Sequence, residues 1–135
     1  MTDITTSAQE TILVVEDEVI ARMVISEYLR HCGYKVVEAA NADEALTILR
    51  HTEINIDVVF TVVQLPGTVD GFGLATWIRK NRPTLDVILT GTIPGAAKSA
   101  ADLCDEGTLP KPYEPNLVTD RIRRLRATRA AHSRR

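Results

Sequence analysis

The stretch that decides the fold is Asp57-Val58-Val59-Phe60-Thr61-Val62-Val63-Gln64-Leu65-Pro66-Gly67. Its first half is an apolar, β-branched run, which predicts a strand over 57–63 that is buried on both faces. Its second half, Leu-Pro-Gly, cannot continue a strand and predicts a turn. In open parallel sheets, ligands gather just beyond the carboxyl ends of the strands. Position 62 is therefore where an active residue is expected, and a valine stands there.

Patterns on both sides of this strand predict the remaining elements. Short apolar runs predict strands over 11–15, 34–38, 86–90 and 107–110, and the proline of the last suggests a sheet edge. Helical spacing predicts helices over 19–31, 72–81, 96–105 and 113–127. A further helix is predicted after Asn41, which would cap it with Glu44 in capping-box position. The unit βα, repeated five times, predicts an α/β fold with a doubly wound, five-stranded parallel sheet.

Length and composition predict one domain, because 135 residues are enough for a single core. We expect a disordered polar leader over 1–10, the domain over 11–127 and a basic, fraying tail over 128–135. No apolar run is long enough to cross a membrane, and the first residues lack an export signal. Cys32 and Cys104 are too few for a disulfide framework and are expected to be buried, so a cytoplasmic location is expected.

Charge is distributed unevenly along the chain. Residues 1–110 contain 8 Lys/Arg and 16 Asp/Glu, whereas residues 111–135 contain 8 Lys/Arg and 2 Asp/Glu. The basic C-terminal segment is interpreted as a solvated helix face or a partner surface, and phosphate binding to nucleic acid is disfavoured by the acidic body. The arginines concerned are Arg121, Arg123, Arg124, Arg126 and Arg129.

The carboxyl ends of four predicted strands are expected to meet at one edge of the sheet. They would bring together the polar residues Glu16 with Asp17, Thr90 and Lys111, and the apolar Val62. Adjacent carboxylates repel each other unless a cation such as Mg²⁺ lies between them. A lysine and a hydroxyl would bind phosphoryl oxygens. The set predicts a phosphoryl-transfer site without a nucleophile. Taken alone, the acids could cap the first helix, the hydroxyl could be an ordinary strand-end group and the lysine a solvated surface group.

Four ordered motifs now define a resemblance. They are Ile12-Leu13-Val14-Val15-Glu16-Asp17-Glu18, the stretch 57–67, Val87-Ile88-Leu89-Thr90-Gly91 and Lys111-Pro112-Tyr113. Together they resemble the receiver domain of two-component response regulators over residues 11–127. The resemblance implies a flavodoxin-like fold with strand order 2-1-3-4-5. It also implies a bacterial signalling protein rather than an enzyme.

The resemblance also implies roles for individual residues. Val62 occupies the position of the aspartate that accepts a phosphoryl group from a histidine kinase. Glu16 and Asp17 match the acid pair that holds Mg²⁺, and the Gln64 carbonyl matches its backbone ligand. Thr90 matches the hydroxyl that moves onto the phosphoryl group. Lys111 matches the site lysine and is expected to pair with Asp17 when no phosphate is bound.

Two further details follow from the same resemblance. The Lys111-Pro112 bond is expected to be cis, which only bonds to proline readily adopt. Thr108 stands where the family has an aromatic switch residue, which puts the usual coupling of hydroxyl and aromatic ring in doubt. Valine has no nucleophilic atom and removes one oxygen ligand, so Mg²⁺ binding is expected to be weak.

The functional prediction is a single-domain response regulator of a phosphorelay. It would dock a histidine kinase or phosphotransfer protein through its first helix and the pocket loops, without phosphorylation at Val62. The alternative is a phosphorylation-independent pseudo-receiver that acts as a protein-binding module. A homodimer is also expected through the face of the fourth helix, fifth strand and fifth helix, where arginines would face Asp102, Asp105 and Glu106.

Overall fold

The computed structural model describes residues 9–51, 53–91, 109, 111 and 113–133. Its strands are β1 (Thr11–Val15), β2 (Lys35–Ala39), β3 (Val58–Val62) and β4 (Asp86–Thr90). Its helices are α1 (Val19–His31), α2 (Ala42–Arg50), α3 (Gly71–Asn81) and α4 (Pro115–Ser133). The predicted bounds of β1, α1 and β4 are confirmed, those of β2 and β3 differ by one residue at each end, and α3 begins one residue earlier than predicted.

The sheet is parallel, with strand order β2-β1-β3-β4 among the described residues. Beyond β4, Leu109 forms a parallel bridge with Thr90 and exchanges backbone hydrogen bonds with Leu89 and Gly91. Leu109 therefore occupies the fifth place that the sequence predicted. The α/β flavodoxin-like fold is confirmed, and its strands bring the ends of β1, β3 and β4 to one edge.

Each face of the sheet carries its own apolar core, as expected for strands that are buried on both sides. On one face, β1 and β3 residues pack against α2 and α3, whose buried contacts include Leu46, Leu49, Leu74 and Ile78. On the other face, α1 and α4 pack through Ile25, Leu29, Val118, Ile122 and Leu125. Asn41 caps α2, since its Oδ1 accepts a hydrogen bond from Glu44 N at 2.8 Å.

The first helix turns an unexpected face toward the core. Its buried residues are Ile25, Ser26 and Leu29. Four apolar residues that gave it helical spacing are instead 53–69% exposed, namely Val19, Ile20, Met23 and Val24. We call these four residues the α1 apolar patch. The spacing correctly predicted a helix. It did not identify which of the apolar residues of that helix face the core.

The C-terminal helix differs from its predicted form in three ways. It begins at Pro115 and continues to Ser133, so the expected end at 127 is wrong and Thr128–Ser133 are helical. Leu117, predicted to be part of the buried stripe, is 44% exposed. The predicted solvated arginine face is wrong for Arg126 and Arg129, because both guanidinium groups pair with acids of the sheet.

These ion pairs form a cluster at the amino edge of the sheet. Arg126 donates to Glu10 Oε2 at 2.7 Å and to Asp86 Oδ2 at 3.0 Å, and its NH2 lies 3.7 Å from Asp57 Oδ1. Arg129 donates to Asp86 Oδ1 at 2.8 Å. Burial by itself would lower the pKa of Arg126, but its bonds to Glu10 and Asp86 outweigh this and raise that pKa. We call these five residues the amino-edge cluster.

The turn after β3 is fixed by the main chain of Gly71. Its N–H donates to Val63 O at 2.7 Å, and a Cβ added there would lie 2.2 Å from Val62 O. Only glycine permits this approach, since a methyl group at that distance would overlap the carbonyl oxygen. Asp70 then caps α3 by accepting from Gly73 N at 2.9 Å. The start of α3 thus holds the backbone of position 62.

Several predictions fall on residues outside the described ranges. These are the leader over 1–8, the helix over 96–105, Thr108, the acids of the proposed dimer face, Cys104 and the Lys111-Pro112 bond geometry. Cys32 is described and is exposed, so its predicted burial is wrong. It lies just after α1, where the chain turns at Gly33 with φ of 98°.

Candidate functional site

A cleft of about 460 Å³ opens at the carboxyl edge of the sheet. It lies beyond the ends of β1, β3 and β4, where parallel sheets place their ligands. Its walls contain three acids, one lysine, one threonine and three apolar side chains. The lining residues are Glu16, Asp17, Glu18, Val62, Gln64, Leu65, Pro66, Thr90, Gly91 and Lys111.

Glu16 and Lys111 form an ion pair on one side of the cleft. Lys111 Nζ donates to Glu16 Oε1 at 3.0 Å, and Glu18 N donates to Glu16 Oε2 at 3.1 Å. The Glu16 side chain is 1% exposed, so its charge needs this partner. The expected pairing of Lys111 with Asp17 is therefore wrong. The residue directly after β1 points inward and reaches the lysine, whereas the next one points away.

Asp17 and Glu18 face the solvent at the mouth of the cleft. Within the described part of the chain, neither carboxylate has a hydrogen-bond or ion-pair partner. The main chain beneath them is held by Arg22, which donates from NH1 to Glu16 O at 2.8 Å and from Nε to Glu38 Oε1 at 3.2 Å. The acids are thus fixed in position but left available to a ligand.

Val62 and Thr90 lie side by side on neighbouring strands. They are register partners in the β3–β4 ladder, so their side chains share a face of the sheet. Val62 is 3% exposed, and Thr90 is fully buried. The Thr90 hydroxyl has no hydrogen-bond partner among the described residues. An orphan hydroxyl is costly in a protein interior, so this one is a candidate contact for a bound group.

An aromatic pair supports the lysine side of the cleft. Tyr113 and Phe60 meet edge to face, with ring centroids 5.7 Å apart. Phe60 precedes Val62 by two residues on β3, and Tyr113 follows Lys111 by two residues. Burial, together with the charge of Glu16, raises the pKa of the Tyr113 hydroxyl to about 12.

The structure brings all six residues of the predicted site to this cleft. They are Glu16, Asp17, Val62, Gln64, Thr90 and Lys111. The sequence interpretation missed Glu18, Leu65, Pro66 and Gly91 as lining residues. Their signal was present, because residues directly after β1, β3 and β4 are the ones that reach over the edge of the sheet.

Fold and cleft together define a class of signalling domain, and comparison with known proteins agrees. A family model for the response regulator receiver domain matches residues 12–123. The chain therefore belongs to the response regulator receiver domain family, whose members are modules of two-component signalling systems.

Individual relatives point the same way. The chain is 32% identical over 134 residues to a probable transcriptional regulator, ycf27, of Guillardia theta, covering 97% of this chain and 52% of that protein. It is 33% identical over 117 residues to the transcriptional regulatory protein ResD of Bacillus subtilis, covering 84% and 47%. The chain thus spans about half the length of the curated relatives that it matches.

Among solved structures, one with the same fold is that of a response regulator. The response regulator TrrA of Thermotoga maritima, crystallised with Mg²⁺ and BeF, is 28% identical with a TM-score of 0.74, covering 87% of this chain and 99% of that one.

None of the helices in the described part of this chain combines the length and apolarity needed to cross a bilayer.

Proposed function

We propose that this receiver domain works in a two-component phosphorelay, where it docks a histidine kinase or phosphotransfer protein without accepting phosphate at position 62. The observation that carries the proposal is the setting of Val62. It lies between the acids of β1 and the Thr90 hydroxyl, in a cleft that also contains Lys111. Valine offers no nucleophilic atom there, so no acyl phosphate can form at this position.

The same geometry supports only weak Mg²⁺ binding. Both Glu16 oxygens are engaged, and Val62 supplies no oxygen from its side chain. Asp17 and the Gln64 carbonyl remain as candidate ligands, and the rest of an octahedral shell would be water. Within the described ranges, no group of three or more His, Cys, Asp or Glu side chains is arranged to hold a metal ion.

The α1 apolar patch supports the docking half of the proposal. Val19, Ile20, Met23 and Val24 are all more than half exposed. Because α1 begins directly after Glu18, the patch lies next to the mouth of the cleft. Contiguous exposed apolar residues beside polar groups mark protein interaction sites. A partner that covers the patch would bring one of its own side chains to the cleft.

Intact mass after incubation with Mg²⁺ and acetyl phosphate tests the phosphorylation half. We expect no mass gain in the native protein and a phosphoryl adduct on Val62→Asp. Val62→Asn is the matched control, because asparagine has the shape and polarity of aspartate but no nucleophilic carboxylate. An adduct on the native protein would refute the assignment of position 62.

Binding to purified histidine kinase dimerisation domains and phosphotransfer proteins from the source organism tests the docking half. Met23→Asp and Ile20→Asp should each weaken binding about tenfold or more, because they place a charge in an apolar contact. Glu27→Gln, an exposed change farther along α1, should leave binding intact. Equal binding by all variants would rule out the patch.

The alternative proposal is a pseudo-receiver that binds proteins independently of phosphate. The closed Glu16–Lys111 pair favours it, because the buried charge is already neutralised without metal or phosphate. A Val62→Asp variant that gains no phosphoryl group and binds partners as the native protein does would favour this reading.

Homodimerisation is proposed through the basic side of α4. Arg123 and Arg124 are exposed there, and Arg123 also pairs with Asp120 of the same helix at 3.1 Å. Sedimentation of the native protein and of Arg123→Glu with Arg124→Glu tests this pairing. A native monomer at high protein concentration would end it. A cytoplasmic location without nucleic-acid binding belongs to the same proposal.

A further inference from the structure

The cleft carries more negative than positive charge, because its one lysine is already paired. Lys111 is committed to Glu16 at 3.0 Å, so this pair adds little net field at the mouth. Asp17 and Glu18 remain, both exposed and both without a partner within the described ranges. The free space thus faces two uncompensated negative charges.

A second, independent feature points to a ligand in the same space. Thr90 is one of the residues that line the cleft, and its buried hydroxyl has no hydrogen-bond partner among the described residues. Next to it the cleft is apolar, with Val62, Leu65 and Pro66 on its wall. A fitting ligand would therefore satisfy a hydroxyl, neutralise carboxylates and cover apolar surface.

Three kinds of ligand can be compared on these terms. A free oxyanion would be repelled by Asp17 and Glu18. Mg²⁺ would be attracted, but it prefers oxygen ligands and gives up water reluctantly, and Val62 offers it an apolar side chain. An alkylammonium or alkylguanidinium group has a cationic head for the acids and an apolar stem for Val62 and Leu65.

We propose that this cleft is a binding site for an organic monocation, a primary ammonium or guanidinium group on a short aliphatic stem. The head lies against Asp17 and Glu18 and donates to the Thr90 hydroxyl, while the stem packs on Val62, Leu65 and Pro66. The valine thereby turns a site suited to hard cations into one selective for amphipathic cations.

The cation has two sources with the same chemistry. One is a lysine or arginine side chain of a docking protein, which would reach the cleft from the α1 apolar patch. The other is a free small amine. Only the first source rests on the function proposed above, since it requires a partner on α1.

Chemical-shift titration of the full chain, isotopically labelled, tests the site. The probes are n-butylammonium, n-butylguanidinium and MgCl₂ at constant ionic strength. For such small cations we expect a Kd of about millimolar and saturable shifts at Val62, Leu65 and Thr90. Sodium chloride at matched ionic strength is the baseline.

Variants separate the three contributions. Asp17→Asn should weaken butylammonium binding about threefold, as expected for one exposed ion pair, and Glu53→Gln, an exposed acid far along the chain, should not. Thr90→Val keeps the shape and removes the hydroxyl, and should weaken binding about threefold to tenfold. Val62→Asp should reverse the preference, so that Mg²⁺ binds more tightly than butylammonium.

A blocked lysine, Nα-acetyl-lysine N-methylamide, separates the sources. Binding of both butylammonium and the blocked lysine assigns the site to a partner side chain, and binding of butylammonium alone assigns it to a free amine. Linear shifts without saturation, or equal affinity in the native protein and Asp17→Asn, would overturn the proposal. That result would leave the receiver assignment intact, because phosphorylation of Val62→Asp tests it separately.

Discussion

The two edges of the same sheet treat charge in opposite ways. At the amino edge, the three acids Glu10, Asp57 and Asp86 all meet Arg126 or Arg129 at 2.7–3.7 Å. At the carboxyl edge, one acid is paired, and Asp17 and Glu18 are left without partners among the described residues. The first arrangement fixes α4 on the sheet, and the second leaves two exposed carboxylates at the mouth of the cleft.

The paired charges of the amino edge are expected to stabilise the fold, and the exposed acids of the carboxyl edge to contribute little to it. Paired, partly buried charges contribute when both partners are present and cost free energy when one is lost. Exposed like charges cost little to keep and little to remove. The two edges should therefore respond very differently to the same chemical change, an acid replaced by its amide.

Asp86→Asn is expected to have the largest effect. Asp86 is 5% exposed and accepts from both arginines, so its loss leaves two guanidinium groups without their buried partner. We expect the free energy of unfolding to fall by about 3 kcal/mol, at the lower end for a buried pair because the arginines are partly exposed. Urea unfolding at pH 7 measures it, and a loss below about 1 kcal/mol would contradict the contrast.

Val62→Asp should have the next effect, because it places a carboxylate at a buried position beside the acids of β1. We expect a loss of about 2 kcal/mol without metal, from desolvation and like-charge repulsion. Mg²⁺ at millimolar concentration should restore part of it. Val62→Asn separates polarity from charge, since its stability should not respond to Mg²⁺. A metal response in both variants would point to binding elsewhere.

The stability of the carboxyl edge should also fall at high pH. The pKa of Tyr113 is raised to about 12 in the folded protein, against 10 when unfolded. The neutral hydroxyl is therefore favoured by folding, and this contribution is complete below pH 10 and lost as the pH rises toward 12. Allowing for solvent screening, we expect a loss of about 1 kcal/mol by pH 12. Tyr113→Phe should lack this step when unfolding is followed at pH 9–12.

Asp17→Asn should have the smallest effect and the opposite sign. Removing one of two neighbouring exposed carboxylates relieves repulsion, so we expect a gain of about 0.5 kcal/mol or less. The measurement is the same urea series used for Asp86→Asn. A loss comparable to that of Asp86→Asn would mean that Asp17 supports the fold and would remove the distinction between the edges.

The sequence predicted much of this architecture because its signals are local. The apolar runs of β1 and β4 and the Asn41 cap each depend on a few neighbouring residues, and all three predictions are confirmed. The residues of the cleft were predicted for a simple reason as well. Parallel strands end at one edge, so residues after successive strands must meet there.

The failures concern contacts between distant segments. Which of Glu16 and Asp17 reaches Lys111 depends on the side to which each points, and that is set after β1 has already ended. The arginines of α4 find acids 40 to 116 residues away, which no helical pattern encodes. The α1 apolar patch shows the limit of periodicity, because spacing identifies a helix without saying which of its apolar residues the core takes.

The close approach of Gly71 to Val62 gives position 62 an uncommon kind of freedom. The main chain at position 62 is supported by a glycine, whose close approach does not depend on the side chain that residue 62 carries. Valine branches at Cβ and aspartate at Cγ, yet the close approach of Gly71 involves only the main-chain carbonyl of position 62 and is the same for either residue. We therefore expect one substitution at position 62 to be enough to restore phosphate acceptance, with no compensating change in the turn that supports the main chain there.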